Sequence, residues 1–126
     1  GQVWESAMLA GFRKLDNLCL LIDNNGLQID GDIAKVNSPY PIIDKFEAFG
    51  FHTLEVMDGN DIHQIRAALE EAKELKGRPT AILLHTVKGK GVSFMEGDYT
   101  WHGRGPSDEE YERAIADLKK IKENIA

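Results

Sequence analysis

The sequence predicts an α/β fold, a parallel sheet flanked by helices. The apolar run at 18–23 is continuous rather than alternating, as in a strand covered on both faces, the run at 81–87 is nearly all apolar, and 51–56 reads as a further strand. The stretches between them repeat apolar residues at the helical period of three to four. The resulting order, α-β-loop-α-β-α-β-loop-α, builds a parallel sheet through right-handed crossovers. A length of 126 residues with 42% apolar composition suits one domain with its own core, not a disordered chain.

The elements follow in order. Val3, Ala7, Ala10 and Gly11 fall on one face of a first helix, with Trp4 and Met8 beside them. Gly1 and Gln2 make a poor cap for it, which suggests a chain that began earlier. Residues 15–17 turn into the strand 18–23. Residues 24–39, rich in Asn, Gly, Asp and Pro, read as loop. Pro41 suits the first turn of a short helix over 42–49, where its missing N–H is not needed, and Gly50 ends it. After the strand 51–56, Asp58-Gly59-Asn60-Asp61 caps a helix running to residue 76, with Ile62, Ile65, Ala68, Leu69, Ala72 and Leu75 apolar. Glu70 and Glu74 with Lys73 and Arg78 form a solvated charge pattern. Gly77 stops that helix and Pro79 precedes the strand 81–87. Residues 88–105 are rich in glycine and read as a long loop that gains order from a ligand. Ser107 and Glu110 form a capping box for a last helix ending near residue 124. Three strands are few for a parallel sheet, which points to neighbours supplied by upstream sequence or by a partner.

Composition narrows the function. A net charge of −6 and the lack of a basic run interleaved with aromatics argue against a nucleic-acid surface. No apolar segment approaches the ~20 residues of a membrane helix. Glu5 within the amphipathic residues 1–14 argues against a signal peptide. The single Cys19 sits in an apolar run and reads as a buried free thiol in a reducing cytosol, so a cytoplasmic protein is expected.

The chemistry concentrates in residues 20–31, Leu-Leu-Ile-Asp-Asn-Asn-Gly-Leu-Gln-Ile-Asp-Gly. A buried strand ending in carboxylate, carboxamides and glycine delivers oxygen ligands to the carboxyl edge of a parallel sheet, where such folds bind ligands. Asn25 offers a carboxamide oxygen, and Gly26 allows a turn that exposes the carbonyl of Leu27. Two such oxygens suit magnesium, which completes its octahedron with phosphate and water. On the dipeptide alone, Asn25-Gly26 reads as an ordinary surface turn. Asp23 either supports this loop by a hydrogen bond or simply closes a turn. Lys88 and His102, fourteen positions apart in one glycine-rich loop, are sensible partners for phosphate, although such pairs are commonly solvent-exposed and idle.

The segment around Asn25 resembles the second half of the thiamin diphosphate fingerprint. Gly1-Gln2-Val3-Trp4-Glu5-Ser6-Ala7 resembles the helix that follows the fingerprint's opening Gly-Asp-Gly in transketolases. Lys88-Gly89-Lys90-Gly91 and Trp101-His102-Gly103 are similar to the later transketolase cofactor and substrate loop. The resemblance covers nearly the whole chain and is closest to the amino-terminal subunit of split transketolases. It implies a thiamin diphosphate-binding fold, with residues 1–126 a partial diphosphate-binding domain. The amino-terminal part, holding Gly-Asp-Gly with its acidic magnesium ligand and first phosphate-binding turn, is missing.

It further implies two cofactors, thiamin diphosphate and magnesium. Asn25 by side chain and Leu27 by backbone oxygen become magnesium ligands. Ile29, otherwise an ordinary loop anchor, packs against the thiazolium ring. Lys88 lies near the cofactor diphosphate. His102 lies near the diphosphate and the substrate oxygen, where it stabilises an alkoxide or passes a proton. Lys90 and Arg104 add positive potential for phosphorylated substrates. Glu5 joins a buried acidic interface or faces solvent, and Trp4 belongs to the core or to a subunit interface.

The implied function is the diphosphate-binding half of a transketolase that moves a two-carbon ketol unit between sugar phosphates. It is inactive without a carboxy-terminal subunit carrying the pyrimidine-binding domain and its glutamate. A homodimer or heterotetramer is expected. Deoxyxylulose phosphate synthase or a 2-oxoacid dehydrogenase component is the nearest alternative, and a degenerate non-catalytic binding domain the second. The remaining histidines lack metal-like spacing. His63 is expected to face water and His85 to be a satisfied core histidine. No nucleophile-elbow serine is present.

Overall fold

The computed structural model describes residues 1–125, which fall into two compact units. The first comprises residues 1–25 and 39–86, the second residues 26–38 and the chain from Val87 onward.

The first unit holds helix α1 (Gln2–Arg13), strand β1 (Cys19–Asn24), helix α3 (Ile42–Ala48), strand β4 (His52–Val56), helix α4 (Ile62–Glu74) and strand β5 (Thr80–His85). The three strands form a parallel sheet in the order β1-β5-β4. Leu21 aligns with Ile82 across one ladder, and Leu54 aligns with Ile82 across the other. Helices α1 and α3 cover one face: Ala7, Ala10, Ile42, Phe46 and Phe51 bury themselves against Ala81 and Leu83, with Leu20 and Ile22 alongside. Helix α4 covers the other face through Ala68 and Ala72 against Val56 and Ile82. Trp4 stacks on Phe46 and Phe49 at 5.3 and 6.2 Å. Gly11 is required by geometry, because a Cβ there would lie 1.7 Å from the Phe49 carbonyl oxygen.

The expected two-sided covering of β1 is corrected. Its burial alternates, and Cys19 and Leu21 are exposed on the α4 face. Helix α4 packs on β4 and β5, so the outer strand keeps one bare face. Cys19 is therefore not buried, and partial desolvation pushes its thiol above the ordinary range. Val3, expected inward, is 60% exposed. Helix α4 ends at Glu74 rather than residue 76, because Leu75 turns extended. Asp61 caps its start, accepting from the His63 amide at 2.8 Å. Glu70 pairs with Arg66 at 2.9 Å rather than with Lys73 or Arg78. His63 is exposed, as expected. His85 is half-buried and meets Glu55 at 2.6 Å, so it is satisfied without belonging to the core.

The second unit replaces two expected loops. Residues 24–39 contain a minimal antiparallel pair, β2 (Leu27–Gln28) and β3 (Gly31–Asp32), then a single helical turn, α2 (Ile33–Val36). Asp32 caps that turn by accepting from the Ala34 amide at 2.9 Å. Residues 88–105 fold into consecutive turns ending in a 3-10 turn, Tyr99–His102. The Gly97 amide closes one loop on the Lys88 carbonyl at 2.9 Å, and Ser93 donates twice to Asp117 on helix α5 (Asp108–Ile125). Gly89, at φ 73°, comes so close to Met95 that a Cβ would lie 2.6 Å from its carbonyl oxygen. The capping box forms as expected: the Ser107 amide donates to Glu110 at 2.8 Å, and the Glu110 amide donates back to Ser107 Oγ at 3.3 Å.

Candidate functional site

Within the first unit, β1 delivers Asp23, Asn24 and Asn25 to the carboxyl edge of the sheet. Asp23 accepts the Thr86 hydroxyl, tying the carboxyl ends of β1 and β5 together. Its role is thus loop support. Asn24 is buried, and its side-chain oxygen accepts the Tyr40 hydroxyl at 2.9 Å. Asn25 is half-buried at the end of this anchored stretch. The sequence alone does not reveal the Tyr40 and Thr86 anchors, since neither lies near residue 25 in the chain.

Gly26 alone separates Asn25 from Leu27, the first β2 residue, whose ladder partner is Asp32. The Gly26 carbonyl accepts the Ile33 amide at 2.9 Å, which closes this segment. Ile29 sits at the hairpin tip, 63% exposed. The Gln28 side-chain amide is buried without a hydrogen-bond partner among the described residues. A buried donor left unmet between Leu27 and Ile29 is what a polar ligand would satisfy.

In the same unit, Lys88 is half-buried and His102 exposed. Neither enters an ion pair among the described residues. The turn bearing His102 is tightly held. Asp98 accepts from the Thr100 amide and hydroxyl at 2.8 and 2.7 Å, and the Thr100 hydroxyl is the main reason its carboxyl lies below the usual range. Trp101 Nε1 donates to the Phe94 carbonyl at 3.2 Å, with the two rings 5.4 Å apart. Arg104 lies 3.6 Å over the Trp101 ring and forks onto Glu110 at 2.9 and 3.0 Å. That fork, with the Ser107 amide, lowers the Glu110 carboxyl to about 2.

Lys90 and Arg104, expected to add positive potential, both stand beside carboxylates. Lys90 is 3.9 Å from Glu96, and Arg104 is matched by Glu110. The sequence carries the signals, an aromatic at 101 and a Glu in the capping box, without the partnership between them.

Asn25 carries a carboxamide oxygen and Leu27 a backbone carbonyl, both of the neutral hard-oxygen type that magnesium takes beside anionic ligands. No group of three or more His, Cys, Asp or Glu side chains among the described residues could hold a metal by itself.

Residues 1–121 match the family model for the transketolase thiamine diphosphate binding domain. The chain belongs to the transketolase family. It is 44% identical over 120 residues to a 6-deoxy-6-sulfo-D-fructose transketolase subunit of Clostridium sp. (strain MSTE9), covering 95% of this chain and 43% of that protein. It is 38% identical over 125 residues to an apulose-4-phosphate transketolase subunit of Phocaeicola vulgatus, covering 99% and 44%. Among solved structures, the transketolase of Campylobacter jejuni superposes with a TM-score of 0.85 at 34% identity, covering 92% of this chain and 18% of that one. The transketolase-family chain thus spans less than half the length of these curated relatives. The α/β fold with helices flanking a parallel sheet agrees with the expectation, and so does the family. No helix among the described residues is long and apolar enough to cross a membrane.

Proposed function

We propose that this chain is part of the diphosphate-binding half of a thiamin diphosphate- and magnesium-dependent transketolase, moving a two-carbon ketol unit between sugar phosphates. The observation that carries the reading is the match of residues 1–121 to the cofactor-binding domain, with Asn25 and Leu27 standing where β1 ends. Relatives named for a sulfonated ketose and a phosphorylated one extend the substrate class to ketoses bearing an anionic group.

On this reading Asn25 and the Leu27 carbonyl hold magnesium, and Ile29 packs against the thiazolium ring. Lys88 balances diphosphate charge through a compact ammonium. His102 touches the reacting oxygen and holds or passes its proton, stabilising alkoxide as it develops. When bound, the cofactor supplies the carbon nucleophile and the electron sink for ketol transfer. The pyrimidine-binding domain comes from a carboxy-terminal subunit, because relatives of this class are named as subunits. The assembly is a cytoplasmic homodimer or heterotetramer, and this chain alone does not turn over.

The test is a ketol-transfer assay between a ketose phosphate and an aldose phosphate, run on the chain co-expressed with its carboxy-terminal subunit. Turnover is expected only from the complex and is lost on chelation. Asn25→Ala is expected to raise the magnesium requirement at least about tenfold. Full activity of the chain alone, or a complex indifferent to chelator and to Asn25→Ala, overturns the reading.

A further inference from the structure

We infer that Arg104 is a positioning residue: locked between the Trp101 ring and the Glu110 carboxylate, it fixes the turn that presents His102 and does not bind substrate phosphate. The inference rests on the reading of His102 given above and adds the device that aims it.

Four side chains stack in sequence within the second unit. Arg113 lies 4.6 Å over the Phe94 ring, Phe94 is 5.4 Å from Trp101, and Arg104 lies 3.6 Å over Trp101. Guanidinium planes stack well on aromatic faces. The Trp101 indole is also pinned through Nε1 to the Phe94 carbonyl. Arg104 then spends both terminal nitrogens on Glu110. Glu110 is itself fixed as the third residue of α5, reaching back to the Ser107 amide. His102 lies between Trp101, pinned to Phe94, and Arg104, which is tied to Glu110 at the start of α5. An exposed imidazole at the end of a single 3-10 turn has little else to set its direction.

A phosphate-binding arginine needs free donors aimed outward. Here the planar fork meets a planar carboxylate, the geometry that lysine cannot reproduce. This difference separates the two roles. A point charge such as lysine serves a phosphate site well but loses both the stack and the fork.

The experiment uses the two-subunit complex, in which this chain is joined by its carboxy-terminal partner, and compares a ketose phosphate with the same ketose unphosphorylated. Arg104→Lys, Arg104→Gln and Glu110→Gln are made beside His102→Ala. Glu110→Gln keeps a side-chain oxygen for the Ser107 amide, so the start of α5 survives while the charged fork is lost. Arg104→Lys and Glu110→Gln are each expected to lower kcat between about tenfold and a hundredfold on both donors, the scale of an ångström-sized misplacement. KM for the phosphorylated donor is expected to stay unchanged. Combining either variant with His102→Ala should add nothing to the loss from His102→Ala. If His102→Ala lowers kcat while Arg104→Lys and Glu110→Gln do not, the positioning role is overturned and the reading of His102 stands. If Arg104→Lys is active and Arg104→Gln raises KM only for the phosphorylated donor, Arg104 is a phosphate ligand and the inference fails. If His102→Ala is fully active, the reading of His102 fails first and the inference falls with it.

Discussion

Gly11 shows how one missing side chain sets an interhelical distance. The Phe49 carbonyl occupies the space a Cβ would take, at 1.7 Å, so α1 and α3 must separate to admit even alanine. Helix propensity alone favours alanine by up to about 1 kcal/mol, which the clash must exceed. We expect Gly11→Ala to destabilise by about 1–3 kcal/mol through overpacking, read as a lower denaturation midpoint in urea; a neutral or stabilising result would refute the close packing. The sequence places Gly11 on the buried face but cannot reveal its contact, because Phe49 is distant in the chain. The same holds around the proposed site. Asn25 and Leu27 are proposed from one local stretch, whereas the Asn24–Tyr40 and Asp23–Thr86 anchors join segments far apart. Local patterns carry residue type and turn chemistry; they do not carry pairings made by tertiary folding.

Among the elements, helix α5 is closely legible in the sequence because its start carries its own signal. Ser107 and Glu110 need only each other, three residues apart, to cap it. The short pieces β2, β3 and α2 read as loop because two-residue strands and one helical turn show no periodicity. The capping Glu110 also makes this region sensitive to acid. Its carboxyl titrates at about 2 when folded, against an ordinary value of 4.5, chiefly because Arg104 holds the charged form. A depressed carboxylate stabilises fully above the unfolded value, and that contribution drains as pH falls from 4.5 toward about 2. In a Trp4→Phe background, leaving Trp101 as the single tryptophan, its fluorescence should change across this interval. In Glu110→Gln that component should be absent. A transition identical in both proteins would show that the fork does not govern the turn.

For the whole molecule, the sheet is legible as parallel and helix-flanked, but its strand order is not. Continuous apolar runs signal burial without saying which strand lies in the middle. The order β1-β5-β4 leaves β1 outermost, with Cys19 and Leu21 open on one face. Cys19 in the folded chain should therefore react with an alkylating reagent without denaturant. Its raised thiol pKa means that the rate climbs mainly above the ordinary thiol range. Labelling only after unfolding would contradict the exposure. The strand order also constrains how the chain becomes structured during synthesis. Every ladder in the three-stranded sheet includes β5, and β1 and β4 never touch each other as strands. A nascent chain halted before Thr80 holds two strands with no partner in this sheet, however long the ribosome waits. Pairing among these three strands therefore begins only when β5 emerges, a non-local step that local helix formation precedes.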